Sequence, residues 1–398
     1  MRSLTGSFAL PLKVCAMGDR AGPLTGIRIV EMTGIGPVPY AAMLLADMGA
    51  DIIRIDRPGG YPAPDAALDF AAMGAASVFY RSRPLVQVDL KSYEGRALMR
   101  DLIGKADALI EGYRPGAMEA LGLGPDTCLL DNPQLAYVRV TGWGQDGPLA
   151  RTAGHDLNYI ARSGALSHFG RDGVVPVAIP PLVGDMASGA LFGVIGLLSA
   201  VMQARSSGKG QVVDANIVDG SASLYTLLSS LSAMGAHNAP AGQNIVDGGR
   251  YYYRTYACAD GYVAVGAIEP AFRKVLLDRL ELSDDPRFTS EAPEDDAFCT
   301  ARMSALFATR SRAHWETVFA DSDGCVTPVL SPSEAAEDEH NAARSTFVKI
   351  DGVEQATPAP RFITTPGAIS LSGREASHPD PETLLRWGIS REKIDSLT

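Results

Sequence analysis

Three short segments of this chain carry side chains that move protons near neutral pH. Ala153-Gly154-His155-Asp156-Leu157-Asn158-Tyr159 supplies an imidazole, and Leu182-Val183-Gly184-Asp185-Met186 a carboxylate at the opening of a long apolar helix. Val265-Gly266-Ala267-Ile268-Glu269-Pro270 supplies a second carboxylate at the opening of a later helix. Asp185 follows His155 by 30 positions and Glu269 comes 84 further on, so only tertiary folding brings them together. A positioned base of this kind contributes about 10²–10⁴-fold to a proton transfer. Taken singly, each residue also has a structural reading: Asp185 as a helix N-cap, His155-Asp156 as a turn, Glu269 as an ordinary acid at a helix start.

The elements that must position these groups are legible as periodicity. Over the first 140 residues apolar runs at Ile27–Met32, Asp51–Ile55, Leu85–Val88, Ala106–Ile110 and Leu135–Val140 alternate with helical stretches at Pro39–Gly49 and Tyr93–Lys105. Short, continuously apolar strands separated by amphipathic helices predict a parallel sheet covered on both faces, an α/β, Rossmann-like doubly wound domain. Further on, Tyr251–Ala257 and Tyr262–Ala267 flank Asp260-Gly261, the pair a tight hairpin turn prefers. Helices are expected at about 270–280, 298–308 and 312–320, and Ser331-Pro332-Ser333-Glu334 has the form of a capping box. This block is a smaller, separate domain.

Bulk properties narrow the function. A length of 398 residues suits two or three domains, and a net charge of −11 disfavours a nucleic-acid partner. Five scattered cysteines without a CxxC pair, and six dispersed histidines, indicate a reduced, cytoplasmic protein with no metal. Residues 186–204 are uncharged over a length that meets the criterion for a membrane span. Their Ala, Gly and Ser content, and Asp185 directly before them, instead predict a helix buried on all sides, with no membrane partner. Residues 1–16, ahead of Met17, carry no targeting pattern and are expected to be dispensable.

The three segments resemble the α-methylacyl-CoA racemases of the family III CoA-transferase superfamily, and the likeness runs from about Ala21 to about Phe362. It implies an acyl-CoA thioester as substrate and no cofactor besides the CoA that substrate carries. It implies proton removal and return at carbon 2 through an enolate, which interconverts the (2R) and (2S) epimers of a 2-methylacyl-CoA. His155 and Asp185 would each be the base for one epimer and the acid for the other, and Glu269 would hold the remaining imidazole nitrogen. It further implies a large domain built from both termini (1–215 and 357–398) and a small α+β domain (250–345). Linkers at 216–249 and 346–356 would interlock two subunits into a homodimer.

The same resemblance assigns CoA contacts to Arg57, to Val88-Asp89-Leu90-Lys91, to Gly112-Tyr113-Arg114, and to Gly154 with Asp156-Leu157-Asn158-Tyr159. The chemical need is for cations, since CoA carries a 3′-phosphate and a diphosphate. Two departures bear on phosphate binding: Pro84 follows Arg83 where a second basic residue is common, and Ala120 stands at an often basic position. Ile160, Ile179, Pro181, Leu182 and Met186 are expected to line an apolar acyl pocket. Two other readings remain open. A family III CoA transferase would use Asp185 as a nucleophile. An NAD-dependent dehydrogenase would use Gly34-Ile35-Gly36, but Pro39 stands where the third glycine of that fingerprint belongs.

Overall fold

A computed structural model of the chain describes residues 20–60, 73–290 and 292–396; the segment ahead of Met17 lies outside them. Six strands form one sheet: β1 (Arg28–Met32), β2 (Asp51–Asp56), β3 (Leu85–Gln87), β4 (Ala108–Glu111), β5 (Ala136–Arg139) and β6 (Gln211–Asp214). Their spatial order is β3-β2-β1-β4-β5-β6 and every pairing is parallel. This is the doubly wound arrangement expected, with a sixth strand supplied from beyond the long apolar helix. The central strands are buried on both faces, which is why they read as unbroken apolar runs rather than as alternation.

Each face of the sheet has its own core. On one, Val38, Ala41, Ala42 and Leu45 of the helix Pro37–Asp47 meet Leu197, Ala200 and Val201 of the long helix. On the other, Leu98, Met99, Leu102 and Ile103 of the helix Tyr93–Ile103 meet Leu384, Trp387, Ile389 and Ile394. The chain's last described stretch therefore completes a core begun by its first hundred residues. It also pairs along the outer edge of β3, where the Asp380 N–H donates to the Leu85 carbonyl at 2.7 Å. The tail after Thr357 carries three short helices at Gly373–Ala376, Thr383–Arg386 and Arg391–Asp395.

The described chain divides into two compact units. One contains the described residues through Ser163, together with Pro180–Ser223 and the part from Ala336 onward; the other contains Gly164–Ile179 and Leu224–Ala335. In the second, β7 (Tyr253–Cys258), β8 (Gly261–Gly266) and β9 (Val326–Pro328) form an antiparallel sheet packed by helices at Pro270–Arg279, Pro293–Phe307 and Arg312–Phe319. The capping box forms as expected: Glu334 N–H donates to Ser331 Oγ and Ser331 N–H to the Glu334 carboxylate.

Three expectations need correction. Residues 216–249 are not simply a linker, since helices at Ile217–Leu224 and Thr226–Ala233 occupy their first half. Residues 346–356 are likewise a hairpin, Phe347–Ile350 paired with Val353–Ala356. The apolar helix after Asp185 is not buried all round: Leu191, Ile195 and Met202 are 42%, 59% and 72% exposed. They follow one another by four and seven residues, so they share a face.

Candidate active site

Strand order reverses between β1 and β4, and in open parallel sheets the crevice at such a reversal, beyond the strands' carboxyl ends, is where ligands bind. A cleft of about 600 Å³ occupies that place in the larger unit. Its walls come from the loops that leave four strands: Ile35-Gly36 after β1, Gly112-Tyr113-Arg114 after β4, Thr141–Trp143 after β5, and Ile217 after β6. His155, Tyr159 and Asp185 complete it. The imidazole and the first carboxylate, 30 residues apart in sequence, thus line one cleft with the Gly-Tyr-Arg segment.

His155 sits immediately ahead of the helix Asp156–Ser163, where its carbonyl accepts the N–H groups of Asn158 and Tyr159. The Asn158 amide oxygen accepts the His155 N–H at 3.1 Å, closing a local turn that leaves the imidazole exposed. Tyr159 fixes the wall behind it. Its hydroxyl donates to the Gly154 carbonyl, and its ring meets Trp143 edge-on with 4.8 Å between ring centres. Leu157 points into solvent.

Asp185 is not an N-cap, as its position ahead of the apolar run suggested. The helix opens earlier, at Leu182 with Pro181 as its cap residue, and runs as a π-helix over Leu182–Leu191 before continuing as an α-helix. Asp185 therefore projects from the first turn. Gly36, at φ +76°, lies against it: a side chain there would place Cβ 2.9 Å from Asp185 Oδ2. Burial, with the Asp156 charge as a smaller cause, pushes the Asp185 carboxyl up to about 7. A carboxyl so placed is present in both protonation states near neutral pH, as a group that alternates between acid and base must be.

The Gly112–Arg114 segment is held from beneath by Glu111, the buried last residue of β4. Its carboxylate accepts the Tyr113 N–H at 2.6 Å and pairs with Arg139 at 2.9 Å. Burial outweighs these contacts and pushes the Glu111 carboxyl up to about 7. The Tyr113 hydroxyl donates to the Thr33 carbonyl at 2.9 Å, tying the loops after β1 and β4 together.

The other CoA candidates lie outside this cleft. Val88 is 1% exposed, a core residue whose side chain is closed to any ligand, and Leu90 packs against the same core. Asp89 turns back to accept the Lys91 N–H, and Lys91 is exposed. Arg57 is exposed at the end of β2, its Nε donating to the Gly60 carbonyl at 2.5 Å. The Asp156 side chain is buried and turned to the helix of Asp185 rather than to the cleft. Arg83, beside the departure at Pro84, is sealed in an ion pair with Glu31 and cannot reach a phosphate. Ile160, expected in an acyl pocket, is fully buried.

Glu269 is the cap residue of the helix Pro270–Arg279 in the second unit; it is exposed and makes no side-chain cap bond. It therefore stands as an acid at a helix start, as its sequence context suggested. Sequence reasoning missed Trp143 and Glu111. The first carries no spacing signal, whereas a glutamate ending a buried apolar strand is itself a sign of a specific buried partner.

Known proteins resemble this chain over most of its length. A family model described as CoA-transferase family III matches residues 24–382. The chain is 38% identical over 377 residues to the α-methylacyl-CoA racemase of Homo sapiens, covering 94% of this chain and 96% of that one. It is 39% identical over 379 residues to the racemase of Mus musculus, with the same coverage. Among solved structures, a CaiB/BaiF family protein from Brucella suis superposes with a TM-score of 0.74 at 24% identity, over 90% of this chain and 98% of that one, a likeness of fold.

Proposed function

Because this chain is an enzyme that belongs to CoA-transferase family III, we propose that it interconverts the (2R) and (2S) epimers of 2-methylacyl-CoA thioesters by proton transfer at carbon 2. One observation carries the reading: His155 and an Asp185 carboxyl poised near 7 line the same cleft. Inverting a carbon centre takes a base on one face and an acid on the other, and a thioester α-proton is too weakly acidic to leave without a positioned base. In one direction His155 removes the proton and neutral Asp185 returns one to the opposite face; in the other, Asp185 is the base and the imidazolium the donor. Between the two steps the charge rests on the thioester oxygen. N–H groups at the opening of the Asp156–Ser163 helix, which have no acceptor within the helix, are donors of the kind that stabilise such an oxyanion, at about 2.7–4 kcal/mol each.

Glu269 is assigned the remaining imidazole nitrogen, fixing its tautomer and raising its basicity. Arg114, in the cleft beside Tyr113, and Arg57, outside it, are assigned to the anionic end of CoA. The chemistry uses no cofactor beyond the CoA that the substrate carries. A second copy of the chain is proposed to cover the exposed apolar face of Leu191, Ile195 and Met202, which is larger than isolated surface residues require.

The test uses one epimer of a 2-methylacyl-CoA in D₂O with no carboxylic acid present. Mixed epimers carrying deuterium at carbon 2 are expected, with Asp185→Asn and His155→Ala each abolishing epimerisation while leaving exchange mainly from the epimer served by the surviving base. A wild type that leaves carbon 2 unlabelled and requires a carboxylate acceptor overturns the proposal, and makes Asp185 the nucleophile of an acyl transfer.

A further inference from the structure

A π-helix leaves its opening N–H groups without partners, and the first turn of Leu182–Leu191 is no exception: its first i→i+5 bond is from Met186 to the Pro181 carbonyl. The N–H groups of Gly184 and Asp185 come before that bond. The second of these is taken by a carboxylate from another helix, that of Asp156, whose Oδ2 accepts the Asp185 N–H at 2.6 Å with the Gly184 backbone beside it. Asp156 is only 6% exposed, and its Oδ1 is buried without a hydrogen-bond partner among the described residues. The backbone is shaped to admit it. A Cβ at Gly184 would lie 2.4 Å from Asp156 Oδ2, so only glycine there lets the carboxylate reach the Asp185 N–H.

We infer that Asp156 is a positioning residue for Asp185: its carboxylate clamps the turn that aims Asp185 into the cleft and places a second acid beside it. The inference rests on the reading of Asp185 as a proton-transfer group. A solvated helix start would gain little from a second buried acid. Here the Asp185 N–H offsets part of the desolvation of Asp156, burial still pushing its carboxyl up, and its charge opposes ionisation of its neighbour. The charged and titratable groups facing Asp185 are few. The Asp156–Ser163 helix brings Asp156 and Tyr159, the loop after β4 brings Arg114, His155 shares the cleft, and the loop after β1 contributes the uncharged Gly36. Of these, Asp156 is the one that raises the Asp185 carboxyl, burial being the larger cause.

Asp156→Asn tests the charge while keeping the shape and an acceptor oxygen for the clamp. Gly184→Ala tests the clamp without changing any ionisable group. Infrared difference spectra of the full-length protein across pH, with the Asp185 carboxyl band identified by its loss in Asp185→Asn, read the titration directly and need no substrate. The expected result is a wild-type midpoint that moves to lower pH by about half to one unit in Asp156→Asn, with the limb of the epimerisation profile moving alongside it. In Gly184→Ala, turnover falls on the order of 10²-fold with little change in KM, as a displaced catalytic group costs. An unmoved midpoint in folded Asp156→Asn overturns the charge effect, and unchanged turnover in Gly184→Ala overturns the clamp. If the midpoint moves as expected but carbon 2 never exchanges, the inference stands and the racemase reading falls.

Discussion

Replacing Asp185 with asparagine should make the protein more stable, and increasingly so as pH rises. Burial first, and the Asp156 charge second, carry this carboxyl from an ordinary 3.8 up to about 7 in the folded chain. A carboxyl held above its unfolded value binds its proton more tightly when folded, so its contribution is fully present below the unfolded value and is lost as pH rises through the folded one. At about 1.36 kcal/mol per pH unit, the loss is on the order of 1.5 kcal/mol at pH 5 and levels off near 4 kcal/mol above pH 7. Asparagine keeps the shape and never ionises. The stability gap between variant and wild type should therefore widen by about 2–3 kcal/mol between pH 5 and pH 8. Urea unfolding at both pH values and one fixed protein concentration measures the gap. A gap of equal size at the two pH values refutes the claim that folding forces this group to hold charge in a poorly solvated place. Under the proposed function the same substitution is expected to abolish epimerisation, so stability would rise where activity is lost.

Glu111→Gln should raise the KM for CoA esters several-fold while changing kcat little, because it loosens the Tyr113-Arg114 loop that meets ground and transition states alike; steady-state kinetics with a single acyl-CoA checks the split, and a defect confined to kcat would reassign the loop to the chemistry. Trp387→Ala should cost about 3–5 kcal/mol, since it empties a fully buried site and removes the indole bond to Asp51, read as a drop in the urea midpoint. Met202→Arg, placed on the exposed apolar helix face, should weaken the proposed pairing of two copies, read by sedimentation, without first unfolding the chain; a sedimentation profile unchanged from wild type would remove this face from the proposed pairing.

The parallel sheet was legible because its strands are buried on both faces, so Ile27–Met32 and Leu135–Val140 stand out as short apolar runs between polar helix faces. The reversal between β1 and β4 then follows from topology, and with it the place of the cleft. What could not be read depends on contacts between distant residues. The run after Asp185 has no amphipathic period, and composition does not distinguish a helix sunk in a core from one with an apolar face left open, as at Ile195 and Met202. Asp156 lies beside His155 in sequence and was grouped with it as a ligand contact. Its actual partner, the N–H of Asp185, is defined only when two helices meet. Val88 was grouped with its basic neighbours, yet a valine ending an apolar strand is simply core.

The docking of Leu384, Trp387, Ile389 and Ile394 beneath the helix Tyr93–Ile103 also sets an order of events during synthesis. The six strands are all translated by Asp214, but the core on the side of the helix Tyr93–Ile103 lacks its last layer until the ribosome has made the whole of the second unit and returned. At roughly 5–20 residues per second, that leaves the Leu98 and Leu102 face open for about ten to thirty seconds on every nascent chain. Messenger truncation or ribosome stalling before Leu384 would therefore release a chain with its small unit complete and its larger core half-lined, a substrate for chaperones and proteases rather than a shorter enzyme.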